Sequence, residues 1–338
     1  MRTGISLLLR AVGALTVAAA LATTSVRAED INYFSIGTGG VGGTYFPLAG
    51  AVANAISNPP GSRACDEGGS CGVPGLVAVA QSSHGSGANV VAVTSGDLDS
   101  GFSQADVAYW AYSGTGRFEG QEPMRDLRVI AALYPEHVHL VASKASGIAS
   151  VSDLRGKRVS LDKTDSGTHP DAVLILAAFG LSEADITVEN LQPEDAAEAL
   201  REGRLDALFF VSGYPARAVD ELARTGEMVL IPIAGPEVDQ MLLEHSFFTR
   251  DRIPNGVYRN VEGVETVAVG AQWLTSLSQS EDLIYAITSA LWNDTARRLL
   301  DVGHTKGQSV TRQTALDGIA IPLHPGAERF YREAGMIK

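Results

Sequence analysis

Residues 96–102 (GDLDSGF) and 203–209 (GRLDALF) share the pattern G-x-L-D-x-x-F. A helical stretch precedes each glycine and an apolar strand follows each aspartate. The two copies sit at matching points of two series in which a strand feeds a small-residue loop that opens a helix. In the first series, residues 31–36 read as the strand, 37–43 as the loop and about 44–56 as the helix. In the second, 158–162, 163–169 and about 170–179 take the same parts, with Gly180 as a C-terminal cap. Strands alternating with helices specify a mostly parallel sheet flanked by helices. Repetition of the plan specifies two related α/β lobes. Residues 133–143 read as a first strand crossing between the lobes and 265–273 as the return, followed by a long helix over about 280–302. The expected division is a leader over 1–28, a first lobe over 29–138 plus 273–338, and a second lobe over 139–272.

The leader has a basic start at Arg2 and Arg10, a small-residue and aliphatic run over 11–22, and small residues at Val26 and Ala28 before the expected cut. That run is shorter than the ~20 residues a membrane span needs. The expectation is export, to the periplasm. The chain carries 26 Lys+Arg and 39 Asp+Glu; without Arg2, Arg10 and Arg27 the balance is 23 against 39, or −16. Such acidity argues against nucleic acid or an anionic membrane surface as a partner. Cys65 and Cys71 are the two cysteines, and an oxidising compartment favours a disulfide between them over a metal site.

Gly37-Thr38-Gly39-Gly40-Val41-Gly42 is a literal G-x-G-x-x-G between a strand and a helix. A dinucleotide site would need an acidic strand end ~20 residues on, and that stretch is instead the cysteine loop. No Lys-Ser/Thr follows, so it is not an NTPase phosphate loop. What remains is close backbone approach and a helix N-terminus open to an anion. Asp165-Ser166-Gly167-Thr168 repeats this arrangement in the second half, where simple helix capping is the plainer reading. Ligands of parallel α/β sheets sit outside the carboxyl ends of the strands, so two facing lobes would clamp a small carboxylate between two helix starts. His84-Gly85-Ser86-Gly87 lacks the nucleophile-elbow spacing of a serine hydrolase and reads as another helix start. His137 and His139 share a strand face without further metal ligands nearby. Tyr134 and Glu136 lie near the crossover, and Tyr214-Pro215 opens a helix at a strand end. No metal, cofactor or catalytic residue is expected.

Taken in order, 36–47 (IGTGGVGGTYFP), 101–111 (GFSQADVAYWA), 133–141 (LYPEHVHLV), 153–159 (DLRGKRV), Ser166-Gly167-Thr168, 205–209 (LDALF) and 323–336 (LHPGAERFYREAGM) resemble the TAXI family, the solute receptors of one class of TRAP transporter. The resemblance runs over residues 36–337. It implies a type II periplasmic binding protein with two α/β lobes and two crossing segments. It implies closure around a small organic anion or amino acid, such as glutamate or 2-oxoglutarate, and delivery to membrane subunits that use an ion gradient. It places Gly39, Gly40, Gly43, Thr44 and Tyr45 on the first lobe's wall, with Ser86, Gln104 and Asp106 near them. Ser166, Gly167, Thr168 and Tyr214 close from the second lobe. A monomer is expected. Asp165 stands where the family often has glycine, and His169-Pro170 is also less usual. A carboxylate at Asp165 would repel an anion or hold an ammonium if it faced the cleft. The alternatives are a ligand sensor feeding a membrane sensor and an exported hydrolase using the glycine loop with Ser86 or Asp106.

Overall fold

The computed structural model describes residues 31–338, so the expected leader lies outside the described residues. Among those residues no helix is long and apolar enough to cross a membrane. The chain opens with β1 (Asn32–Gly37) and α1 (Tyr45–Ile56). A small ladder, β2 (Ser57–Asn58) with β3 (Val73–Pro74), then encloses the loop stapled by the Cys65–Cys71 disulfide. Next come β4 (Leu76–Gln81), α2 (Ser86–Ser95), β5 (Ser100–Gln104), α3 (Ala105–Ser113) and the long strand β6 (Leu127–Ser143). The second half holds β7 (Arg158–Ser160), α4 (Thr168–Ala178), β8 (Thr187–Glu189), α5 (Pro193–Arg201), β9 (Ala207–Ser212) and α6 (Arg217–Ala223). It continues with β10 (Met228–Leu230), α7 (Pro236–Glu244), β11 (Phe248–Ile253) and β12 (Val264–Ser276). Helices α8 (Glu281–Leu291), α9 (Asp294–Gly303) and α10 (Pro325–Glu333) follow.

One sheet runs through both lobes in the order β4-β1-β5-β12-β6-β9-β7-β8, with β10 paired to β6 and β11 to β12. Its ends are parallel, β4-β1-β5 in the first lobe and β9-β7-β8 in the second. The two long strands between them are antiparallel to each other and to their neighbours. Strand β6 is buried along nearly its whole length, including the polar side chains of Glu136, His137 and His139. Pro135, within β6, pairs with Gly270 of β12, and the register shifts between Gly270 and Gln272. Proline cannot donate to the ladder and is found at bulges, which accounts for the irregular pairing there.

The sequence echo is a structural repeat. Gly96 and Gly203 both take positive φ, 82° and 71°, which glycine adopts without steric cost. Asp97 N and Leu98 N both donate to Ala92 O; Arg204 N and Leu205 N both donate to Ala199 O. Asp99 Oδ2 accepts from Ser35 N of the neighbouring strand at 2.8 Å, and Asp206 Oδ2 accepts from Arg158 N at 2.8 Å. Each aspartate ties the start of its own strand to the parallel strand beside it.

Apolar residues fill both faces of each half of the sheet. In the first lobe Phe34, Phe102, Trp273 and Tyr331 lie in one core and Val107, Val129 and Leu274 in the other. In the second, Val159, Leu176 and Phe209 lie in one and Leu208, Phe210 and Tyr258 in the other. The helix expected over 280–302 is broken in two. Asn293 accepts from Ala296 N at 2.8 Å and so caps α9, while its Nδ2 donates to Cys71 O at 3.0 Å. A capping side chain held by the disulfide loop outweighs the continuous helical pattern. Strand β7 also ends sooner than expected, because Asp162 turns into the left-handed region at φ 68°.

Phe102 is fully buried and meets Tyr45 and Trp273 edge-on at 5.6 and 6.3 Å. Phe102→Ala is expected to cost ~3–5 kcal/mol in denaturant unfolding, from lost transfer energy and the cavity left behind.

Candidate functional site

Four helix starts converge between the lobes: α1 at Tyr45, α2 at Ser86, α4 at Thr168 and α5 at Pro193. Each first turn has backbone N–H groups without helical partners and carries the positive end of the helix dipole. They surround a cavity of about 40 Å³. It is partly open to solvent along the seam between the lobes.

The lobes are closed on each other through direct polar contacts. Thr44 N donates to Ser212 Oγ at 3.2 Å and Thr44 Oγ1 donates to Gly213 O at 2.9 Å. Gly42 of the glycine loop donates its N–H to Glu194 and accepts from Ala218 N at 3.0 Å. Ala88 N donates to Asp165 O at 2.8 Å. Arg117 donates to Ser166 O at 2.6 Å and Thr164 O at 2.8 Å. His84 pairs with Asp165 at 3.0 Å, both about half exposed at the rim. Asp165 is therefore part of the seam between the lobes, tied to His84.

The cavity lining contains two carboxyl side chains, Glu136 and Asp162, and neither lysine nor arginine. Glu136 Oε2 accepts from Tyr45 OH at 2.6 Å. Burial lifts Glu136 to about 8 against the opposing effect of the Tyr45 hydrogen bond. Burial likewise lifts Asp162 to about 7, although Lys163 N donates to its Oδ1 at 2.7 Å and the hydroxyls of Thr168 and Ser166 face it. Hydroxyls that sequence reading offered to a ligand thus also serve the protein: Ser166 Oγ accepts from His169 N at 3.1 Å and Thr168 Oγ1 from Val211 N at 3.1 Å. Ser86 Oγ accepts from Gln104 N at 3.0 Å.

Ten of the twelve residues singled out from the sequence line this cavity: Gly39, Gly40, Gly43, Thr44, Tyr45, Ser86, Gln104, Ser166, Gly167 and Thr168. The other two lie elsewhere. Asp106 is fully buried behind the lining, its carboxyl turned to Asp171 of α4. Tyr214 packs against His137 with ring centroids 4.6 Å apart and beneath Lys306, whose Nζ lies 3.6 Å from the ring centroid. Packing and a cation over its face account for that tyrosine. Burial pulls Lys306 down to about 8. His137 bonds Asp251 at 2.9 Å and His139 bonds Tyr258 OH at 2.8 Å; burial pushes them to about 4 and about 3. Sequence reading had placed Glu136 near the crossover, but it missed Asp162, Gln192 and Phe210 in the lining. Asp162 carried one usable signal, its place at a strand end just before a helix-opening loop.

This architecture is that of the two-lobed type II periplasmic binding proteins. A structure from Bordetella bronchiseptica RB50 aligns over 90% of this chain and 82% of its own, at 17% identity and TM-score 0.52. PhnD1 from Prochlorococcus marinus MIT 9301, solved in complex with methylphosphonate, aligns over 90% and 99%, at 11% identity and TM-score 0.52. The alkanesulfonate-binding protein SsuA from Xanthomonas axonopodis pv. citri, bound to MOPS, aligns over 90% and 84%, at 16% identity and TM-score 0.48. The NMT1-like family matches residues 36–335, and the chain belongs to that family.

A Cβ added at Gly87 would lie 2.5 Å from Asp165 O, a backbone atom of the other lobe. Gly87→Ala should favour helix α2 by ~1 kcal/mol yet block this closed contact. Small-angle scattering should show a larger radius of gyration than the parent; an unchanged radius would mean that the 163–167 loop yields instead. The folded state also holds a proton on Glu136 that the unfolded chain has already released. The stability this supplies is complete below the ordinary carboxylate pKa and is lost as pH rises to about 8. Glu136→Gln removes that loss. Between pH 5 and 8 the variant should therefore gain on the parent in thermal unfolding, by up to ~1.4 kcal/mol per pH unit.

Proposed function

We propose that the protein is an exported, periplasmic solute receptor that captures a small amino acid between its lobes and presents it to membrane transport subunits, without covalent chemistry. The observation that carries this reading is the cleft itself, with helix N-termini on several sides and the buried carboxyls of Glu136 and Asp162 in its wall. A carboxylate suits the helix starts. An ammonium suits Glu136 and Asp162, whose ionised forms lack a basic partner in the lining. A doubly anionic 2-oxo acid has no such complement for its second charge. Ligand would bridge the lobes and shift an open–closed equilibrium by its differential affinity for the two forms. Membership of the NMT1-like family and likeness to binding proteins support the receptor role. The further assignment to the TAXI receptors of TRAP transporters rests on the ordered motifs over 36–337. In this reading the lobes divide near 138 and 273, on either side of the Pro135–Gly270 pair.

The test is thermal unfolding of chain 29–338, stripped by unfolding and refolding, against amino acids, 2-oxo acids and dicarboxylates. A ligand at 100 times its Kd adds ~2.7 kcal/mol to stability. An amino acid should give the largest shift, reduced by Glu136→Gln, with the compound recovered unchanged. A larger shift with 2-oxoglutarate than with glutamate would overturn the amino acid assignment. Turnover of the bound compound would overturn the receptor reading.

A further inference from the structure

Behind the cleft lining, each lobe contributes one fully buried aspartate to the same spot. Asp106 comes from the first turn of α3 in the first lobe, and Asp171 from the first turn of α4 in the second. The two carboxyl groups face each other where the lobes meet. Gln104 Nε2 donates to Asp171 Oδ2. Asp171 Oδ1 and both Asp106 oxygens have no hydrogen-bond partner among the described residues. Two ionised carboxylates so placed would repel each other at low dielectric; one proton between them turns repulsion into a hydrogen bond. The charged groups nearby do not supply an equivalent. Among the described residues Arg117 is the cation facing Asp106, and its two terminal nitrogens donate to Ser166 O and Thr164 O. Asp165 lies beyond Arg117, and Glu136 adds further negative charge from β6. His169, on α4, faces Glu183.

We propose that closure of the two lobes takes up one proton from solvent, held between Asp171 Oδ1 and Asp106, so that the closed form is gated by pH independently of the ligand. When the lobes part, α3 and α4 separate and each carboxyl regains water, ionises and releases the proton. Burial holds both groups above their ordinary values in the closed form. The sign follows: above the ordinary carboxylate pKa, closing binds a proton, and the closed population falls as pH rises. For one proton the closed-to-open ratio falls about tenfold per pH unit. Asn at position 171 reproduces the protonated state, since its oxygen accepts from Gln104 and its amide donates to Asp106.

The proposal rests on the two-lobed closure that the receptor reading also requires, but not on any ligand, so its test omits ligand. Spin labels at Val91→Cys on α2 and Leu243→Cys on α7, both exposed positions on opposite lobes, report the interlobe distance by pulsed electron resonance. From pH 5 to 8 the parent should shift from the short distance to the long one. Asp171→Asn should weaken this pH dependence by one proton, about tenfold per pH unit in the closed-to-open ratio, and Asp106→Asn should do the same, while the share due to Glu136 and Asp162 of the cleft wall remains. A distance distribution that ignores pH, or that is the same in the parent and both variants, overturns the proposal. Two interlobe distances without pH dependence would leave the receptor reading standing. One fixed distance under all conditions, with or without amino acids, would remove both.

Discussion

The pairing of β6 with β12 is the constraint on which the rest of the structure depends. Strand β6 runs 17 residues and β12 runs 13, against a usual strand of ~5–6. Each contributes to the cores of both lobes, so the lobes are two ends of one sheet. The ladder between the two strands is irregular where Pro135 pairs with Gly270 and the register shifts. The duplicated G-x-L-D-x-x-F units stabilise the parallel ends of the sheet through Asp99 and Asp206.

Closure depends on polar contacts, each of which contributes ~0.5–1.5 kcal/mol net. The contacts from Gly42, Thr44, Ala88 and Arg117 together amount to a few kcal/mol, offset by the cost of ordering the lobes. An equilibrium of that size responds to a ligand with a modest differential affinity, and equally to one proton. The closed seam also excludes water from Glu136, Asp106 and Asp171, and low dielectric makes their charge states consequential. The helix starts and the acid-bearing wall face the same cavity, so it presents N–H donors and carboxyl groups together.

Much of the fold was legible in the chain. Glycines followed by polar helix starts, the two strand–loop–helix series, the strand-like run at 133–143 and the apolar, β-branched run at 265–273 are local patterns that local sterics enforce. Ten of the twelve proposed contact residues line the cleft because a loop between a parallel strand and the next helix has to emerge at the strand's carboxyl end. Where local reading failed, a distant contact had won. Asn293 breaks the expected helix because the cysteine loop, more than 200 residues earlier, holds it. Tyr214 leaves the cleft because Lys306, on the other lobe's C-terminal segment, lies across its ring.

By itself the sequence determined the two-lobed α/β plan, the repeat, the crossing strands and the loops that open toward a cleft, since these follow from periodicity, glycine placement and capping within short stretches of chain. Only the tertiary structure decided which polar groups meet. It set Asp165 against His84, Asp106 against Asp171 and Glu136 beside Tyr45. Those residues are separated by tens of positions, and nothing in the periodicity of one lobe records what the other will place opposite it. Their charge states follow from that juxtaposition and from the loss of water, both of which arise only when the lobes come together.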